Sequence, residues 1–266
     1  MGNLILALPT ISDRAVIAAG SAAATMEAAN LQSVQPGDRW RATDLSNAWL
    51  QIDLGAAAAV RMIWLGYTNA SAGALWRVRA ANTLADLTGS PAYDSGWIAH
   101  RVGNTADWNR THAFLWLTAT IAHPHWRIDI DDGDNPDGWY EAGRLYLADP
   151  WQPSRNRRYG AADGYADDSG AERARGGQTY VAEGGQWREG SFTLGFMDRE
   201  EMQANAARID RLVGTRRDLL ILYDPDDTGR LMDECFYARL TELRPLLLPH
   251  HRLYEKSYAF AEWELP

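Results

Sequence analysis

The sequence predicts a mainly β protein, an N-terminal β-sandwich followed by a smaller, β-rich α+β domain with one principal helix. Three observations predict this division. From residue 45 to 150 the chain is a series of short β-type runs separated by turn residues, and no segment sustains a 3.6-residue period. Residues 153–177 then turn to Arg, Gly, Ala, Asp and Ser with no large aliphatics, so that stretch cannot build a core. Beyond it a period-two strand leads directly into a helix-start signature, and further strands follow. At 266 residues the chain is long enough for two domains that each bury a core. The expected boundaries are 1–152 for the sandwich, 153–177 for a linker and 178–266 for the second domain.

Taken in order, the apolar residues 4–8 read as a first strand. They lack a basic flank, and Asp13 and Arg14 soon interrupt them, so they do not read as an export signal. In residues 49–54, Leu50, Ile52 and Leu54 share one face while Gln51 and Asp53 take the other, as a half-buried strand requires. Residues 60–67 are apolar on both faces and should lie centrally. Further runs at 75–81, 113–121, 126–130 and 144–147, with weaker candidates near Ala92 and Trp97, bring the count close to the eight strands of a jelly roll.

In the second domain Phe192, Leu194 and Phe196 alternate with Ser191, Thr193 and Gly195. Asp198 and Glu201 have the spacing of a capping box. Met202, Ala206, Ile209 and Val213 form one apolar stripe, and Gly214 stands where the helix should stop. Residues 218–223 read as a buried strand, 224–229 as a turn, and 236–240 and 252–265 as closing strands. In the last of these, Tyr258 and Phe260 face one way and Ala259, Ala261 and Trp263 the other, so both faces should be covered.

Composition narrows the function. The net charge is −9 with no Lys/Arg-rich stripe, which argues against nucleic acid as a partner. No run approaches the roughly 18 apolar residues of a membrane helix, so no membrane insertion is expected. Cys235 stands alone, which excludes an intramolecular disulfide framework and a cysteine zinc cluster and fits folding in a reducing cytoplasm. Lys256 is the only lysine; Arg supplies the other cations, a bias of GC-rich bacterial or phage genomes.

No G-x-S-x-G elbow, H-E-x-x-H or P-loop occurs, and among 35 carboxylates a chance pair means nothing. No catalytic residue is assigned, and the protein is not expected to be an enzyme. Asp129, Asp131, Asp132, Asp134 and Asp137 place several oxygens within one loop, where a hard cation such as Ca²⁺ could sit. The spacing departs from an EF-hand, and Asn-Pro-Asp-Gly at 135–138 is good turn chemistry, so a solvated turn and a metal site both stay open. Of the twelve tryptophans, Trp49, Trp64, Trp116 and Trp126 sit within strands and are assigned to packing. Trp40, Trp108 and Trp139 lie in loop-like contexts with Arg41, Asn109 and Arg110 close by. That is the mixture a sugar site or a protein interface uses.

Residues 49–55, Trp-Leu-Gln-Ile-Asp-Leu-Gly, followed by the strand 60–67, resemble the discoidin or galactose-binding-like jelly-roll family. Residues 126–130, Trp-Arg-Ile-Asp-Ile, and 143–147, Gly-Arg-Leu-Tyr-Leu, resemble its closing strands, so the resemblance covers about residues 1–150. It implies a jelly-roll fold and the structural Ca²⁺ that such domains often carry. A narrower resemblance rests on Ala-Asn-Leu at 29–31, Trp40 and Arg41, and Ile-Asp-Leu-Gly at 52–55, ahead of a linker and a strand–helix–strand domain. This order is similar to minor tail or tail-tip proteins of siphophages and prophages. Against the alternative of a carbohydrate-binding module that contacts a host surface glycan, it implies as the main reading a structural virion protein of the tail tip or baseplate, made in the host cytoplasm. Such a protein would assemble as a homo-oligomer or with hub, distal tail and tape-measure proteins.

Overall fold

A computed structural model describes residues 2–106 and 108–263. The chain is mostly β and forms two compact units. One comprises the residues up to Trp151 together with Leu222–Cys235, the other Gln152–Ile221 together with the residues from Phe236 on.

The first unit holds β1 (Ile5–Ala7), β2 (Val16–Ala19), β3 (Trp40–Arg41), β4 (Trp49–Thr68), β5 (Leu75–Ala81), β6 (Tyr93–Asp94), β7 (Ile98–Ala99), β8 (Thr111–Asp131), β9 (Glu141–Ala142) and β10 (Arg144–Ala148). The runs expected separately at 49–54 and 60–67 form one strand, as do those at 113–121 and 126–130. These two long strands pair antiparallel from Trp49↔Asp129 to Thr68↔Thr111, with register shifts along the way. Each serves two sheets. The first part of β4 lies between β2 and β8, with β5 beyond β8 and the short β6 and β7 on β5. Its last part lies between β10 and β8. Leu50, Ile52, Val78, Trp126 and Ile128 of the first sheet share one core with Val60, Ile63, Leu65, Leu145 and Leu147 of the second. The two sheets therefore face each other across that core as a jelly-roll β-sandwich.

On the other face of the second sheet Trp64 meets Tyr146 at 5.6 Å and His112 at 4.9 Å, ring to ring. The Trp64 indole lies over Gly66, where an added Cβ would come within 2.0 Å of the ring. The segment Leu222–Cys235 belongs to this first unit: Gly2 N donates to Asp224 Oδ1 at 3.0 Å and Asn104 N to the Gly229 carbonyl at 3.2 Å. The units are thus discontinuous in sequence.

The second unit holds β11 (Ala162–Asp167), β12 (Gly170–Arg173), β13 (Thr179–Ala182), β14 (Gln186–Met197), β15 (Asp218–Leu222), β16 (Cys235–Leu240), β17 (Leu247–His250) and β18 (Leu253–Glu262). Its sheet runs β15–β16–β18–β14–β11, with β17 on β18. Residues 153–177, expected as a linker, carry β11 and β12. With β13 and the start of β14 these make a two-stranded ribbon whose distal part, β12 and β13, is exposed throughout. The distal ribbon has no core, as the composition demands; backbone pairing, with the Ser169 hydroxyl accepting from Gly184 N at 2.9 Å, holds it, and composition does not register backbone pairing.

Asp198 Oδ1 accepts from Glu201 N at 2.7 Å and starts the helix as expected, and the Glu201 carboxylate accepts from Ser154 N and Oγ, each at 2.8 Å. The helix runs over 199–212 with a π-helical turn at Met202–Ala206. Met202, Ala206, Ile209 and Val213 are all buried, and Gly214 ends the helix at φ +56°. Phe196 departs from its expected face. A register shift between Leu194 and Met197 gives it φ +61°, leaves it exposed and buries Met197 in its place. In β18 Tyr258 and Phe260 are buried. On the opposite face Ala261 is buried but Ala259 is only partly so, which leaves that face half covered rather than closed. The expected continuation of this strand to 264 and 265 lies outside the described residues.

Candidate functional site

The site grows from the pairing of β3 with β9. Trp40 lies opposite Ala142 and Arg41 opposite Glu141. Side chains of paired residues share a face and alternate along each strand. Trp40, Tyr140 and Ala142 therefore turn into the core. Arg41, Glu141 and, two residues away from each, Arg39 and Trp139 take the other side.

There Glu141 is the hub. Its Oε1 accepts from Arg39 Nη1 at 3.0 Å and pairs with Arg110 Nη1 at 2.6 Å, and its Oε2 accepts from Arg41 Nε at 2.8 Å and pairs with Arg41 Nη2 at 2.7 Å. Burial alone would push the Glu141 carboxyl up. The hydrogen bond from Arg41 and the charges of Arg110 and Arg39 outweigh it and hold the group below its ordinary value, so it stays ionised. Burial first, and then the charge of Arg110, lowers the pKa of the Arg39 guanidinium. The Arg41 guanidinium lies over the Trp139 ring at 4.6 Å, and Trp139 keeps 36% of its surface exposed.

The turn after β4 braces this group. Asn69 Nδ2 donates to Asp137 Oδ2 at 2.8 Å and to the Trp139 carbonyl at 3.0 Å, while Asn69 Oδ1 accepts from Glu141 N at 2.8 Å. Behind it, His100 Nε2 and the Tyr140 hydroxyl lie 2.7 Å apart, both buried. Burial, and to a lesser degree Arg101, lowers the His100 pKa to about 3, so the ring is neutral at ordinary pH.

Of the six contact residues expected from sequence, the fold brings together Arg41, Arg110 and Trp139. Trp40 must be corrected. It is fully buried against Tyr140 at 5.8 Å, with its Nε1 donating to the Ser21 carbonyl at 3.0 Å, and it is a core residue. Trp108 is partly buried and Asn109 is exposed. Arg39, Asn69 and Glu141 were missed. An Arg-Trp-Arg triplet at 39–41 carries the signal, since a buried tryptophan in an extended segment sends both flanking arginines to the opposite face.

The expected metal set does not converge, because each carboxylate finds a protein partner or faces solvent. Asp129 pairs with Arg79 and Arg127. Asp132 accepts from Ser71 N at 3.0 Å, from the Ser71 hydroxyl and from Asn135 Nδ2 at 2.7 Å. Asp137 is held by Asn69, and Asp131 and Asp134 are exposed. Among the described residues no group of three or more His, Cys, Asp or Glu side chains is placed to hold a metal ion. The turn alternative is the one this geometry matches.

No family model matches the chain, and no curated protein does. Among solved structures it is similar to the family 32 carbohydrate-binding module of Clostridium perfringens NanJ in complex with galactose, at 15% identity and a TM-score of 0.40, covering 54% of this chain and 98% of that one. It is also similar to the family 32 module of AlyQ in complex with 4,5-unsaturated mannuronic acid, at 15% identity and TM-score 0.37, covering 50% of this chain and 94% of that one. A third is chitosan-binding module 1 of a Paenibacillus sp. IK-5 chitosanase/glucanase, at 17% identity and TM-score 0.37, covering 50% and 94%.

Proposed function

We propose that this protein binds a saccharide, acting as a carbohydrate-binding module toward a cell-surface glycan, through the site around Arg41 and Trp139. The observation that carries this reading is the exposed Trp139 indole, fixed by Arg41 and flanked by ionised and amide groups. A pyranose has an apolar C–H face and a rim of hydroxyls. An indole suits the first, and guanidinium, amide and carboxylate groups suit the second. Glycan-array and calorimetric binding of the full chain tests it. Trp139→Ala should weaken binding by about tenfold or more while leaving the melting temperature near that of the parent. Absence of glycan binding, or equal affinity in the variant, contradicts it.

A second reading is favoured by a separate observation. Tyr165, Tyr180 and Val181 on the ribbon are 66%, 59% and 63% exposed. A two-stranded ribbon without a core is marginal in water, and a partner surface would stabilise it. This supports a partner surface; together with the sequence resemblance, we infer from it a structural role in a virion tail tip or baseplate, with assembly to itself or to hub, distal tail and tape-measure proteins. The two roles are compatible, since a tail-tip protein can carry a glycan-binding unit. Solution mass of the chain, alone and mixed with the products of adjacent genes, tests the second. A strict monomer that binds none of them overturns it.

A further inference from the structure

We infer that the saccharide bound at this site carries an anionic substituent, a carboxylate or a sulfate, that docks against the guanidiniums of Arg39, Arg41 and Arg110. This rests on the saccharide reading above and names its ligand class. Charge imbalance carries the inference. Among the described residues three guanidiniums share one carboxylate, and both oxygens of Glu141 are already occupied by them. Each guanidinium has five N–H groups, so most of their donors are not spent on Glu141. Arg39 Nε is buried and has no hydrogen-bond partner. The nearby Asp137 carboxylate is turned to Asn69 and adds no pairing to the arginines.

Accessibility is also right. The side chains of Arg39, Arg41 and Arg110 are 16%, 30% and 25% exposed, while Glu141 is 2% exposed. A ligand therefore reaches the cations before it reaches the anion that organises them. Glu141 fixes the guanidiniums in advance, which lowers the ordering cost of binding. An incoming carboxylate or sulfate would offer several acceptor lone pairs to donors that a neutral hydroxyl satisfies poorly, in a setting less screened than open water. Trp139, held beside the same cations, supplies the surface for the sugar ring that bears the group.

The experiment compares ligands that differ only in charge. Trigalacturonate and its methyl ester, and a 6-sulfated galactose oligosaccharide and its unsulfated counterpart, are titrated into the full chain by calorimetry at low and at high salt. The expected result is that at least one anionic member binds about tenfold or more tighter than its neutral counterpart at low salt, with the gap narrowing as salt rises. Arg110→Gln should shrink that gap and Arg110→Lys should keep part of it. The ligand comparison on the unmodified protein needs no variant, so a folding defect would not obscure the result. Preference for the sulfated ligand alone assigns the group as sulfate, and preference for the uronate alone assigns it as carboxylate. Equal binding within both pairs overturns the inference and leaves the saccharide reading standing. No binding by any member of either pair, with no hit on a glycan array, overturns both.

Discussion

Lys256, the only lysine in the chain, is 1% exposed, and its Nζ lies 2.5 Å from Asp210 Oδ2 while also donating to the Arg244 carbonyl. It ties the helix to β18. The two partners are unequally buried, since the Asp210 side chain is 25% exposed. Asp210→Ala leaves a buried ammonium with only a carbonyl and should cost about 3–5 kcal/mol. Lys256→Ala leaves a carboxylate whose Oδ1 is buried without a partner but whose side chain as a whole is 25% exposed, and should cost less, about 1–3 kcal/mol. Urea unfolding of both variants measures the difference, and equal costs would contradict this account of the burial.

Stability should fall on mild acidification because of His100. Its pKa in the fold is about 3, against an ordinary value of 6.5. Between those values the unfolded chain takes up a proton that the folded chain refuses, so the contribution is whole above about pH 6.5 and is lost as pH falls toward 3. In the upper part of this window ordinary carboxylates are still ionised, which separates the histidines from them, and the variant then separates His100 from the other histidines. Thermal melts between about pH 6.5 and 5 should slope less in His100→Gln than in the parent. Parallel slopes would place the titrating group elsewhere.

Gly66 carries the Trp64 indole directly over its Cα. Gly66→Ala should displace that ring from its contacts with Tyr146 and His112 and cost about 1–3 kcal/mol or more. Near-ultraviolet circular dichroism and denaturant unfolding report both effects. An unchanged aromatic signal would show that the ring does not rest there.

The ribbon carries Asp163, Asp167 and Asp168 toward its base and Glu172, Arg173 and, in the turn, Arg175 toward its tip. Under the assembly reading, two copies aligned antiparallel about Ser169 would set Asp163 of one opposite Arg175 of the other. Arg175→Asp should then weaken self-association, and the paired exchange Asp163→Arg with Arg175→Asp should restore it, as read by sedimentation at several concentrations. Association indifferent to Arg175→Asp excludes this alignment.

Much of the fold was legible from neighbours in sequence. The alternation that buries Leu50 and Ile52, the cap at Asp198, the stripe from Met202 to Val213 and the stop at Gly214 are local patterns, and local periodicity encodes them directly. The composition of 153–177 likewise excluded a core there. What local pattern could not reach was pairing. The ribbon exists chiefly because backbone groups satisfy one another. Phe196 left its expected face because one extra residue entered the β14 ladder, an event that alternation does not foresee. The candidate site divides the same way. Loop composition pointed to Arg41, Arg110 and Trp139, but Glu141, 100 residues from Arg41, became their hub only when β3 met β9, and that same pairing turned Trp40 inward. A strand's period says which residues share a face; which face meets water, and which distant charges converge on it, is decided by the partner strand.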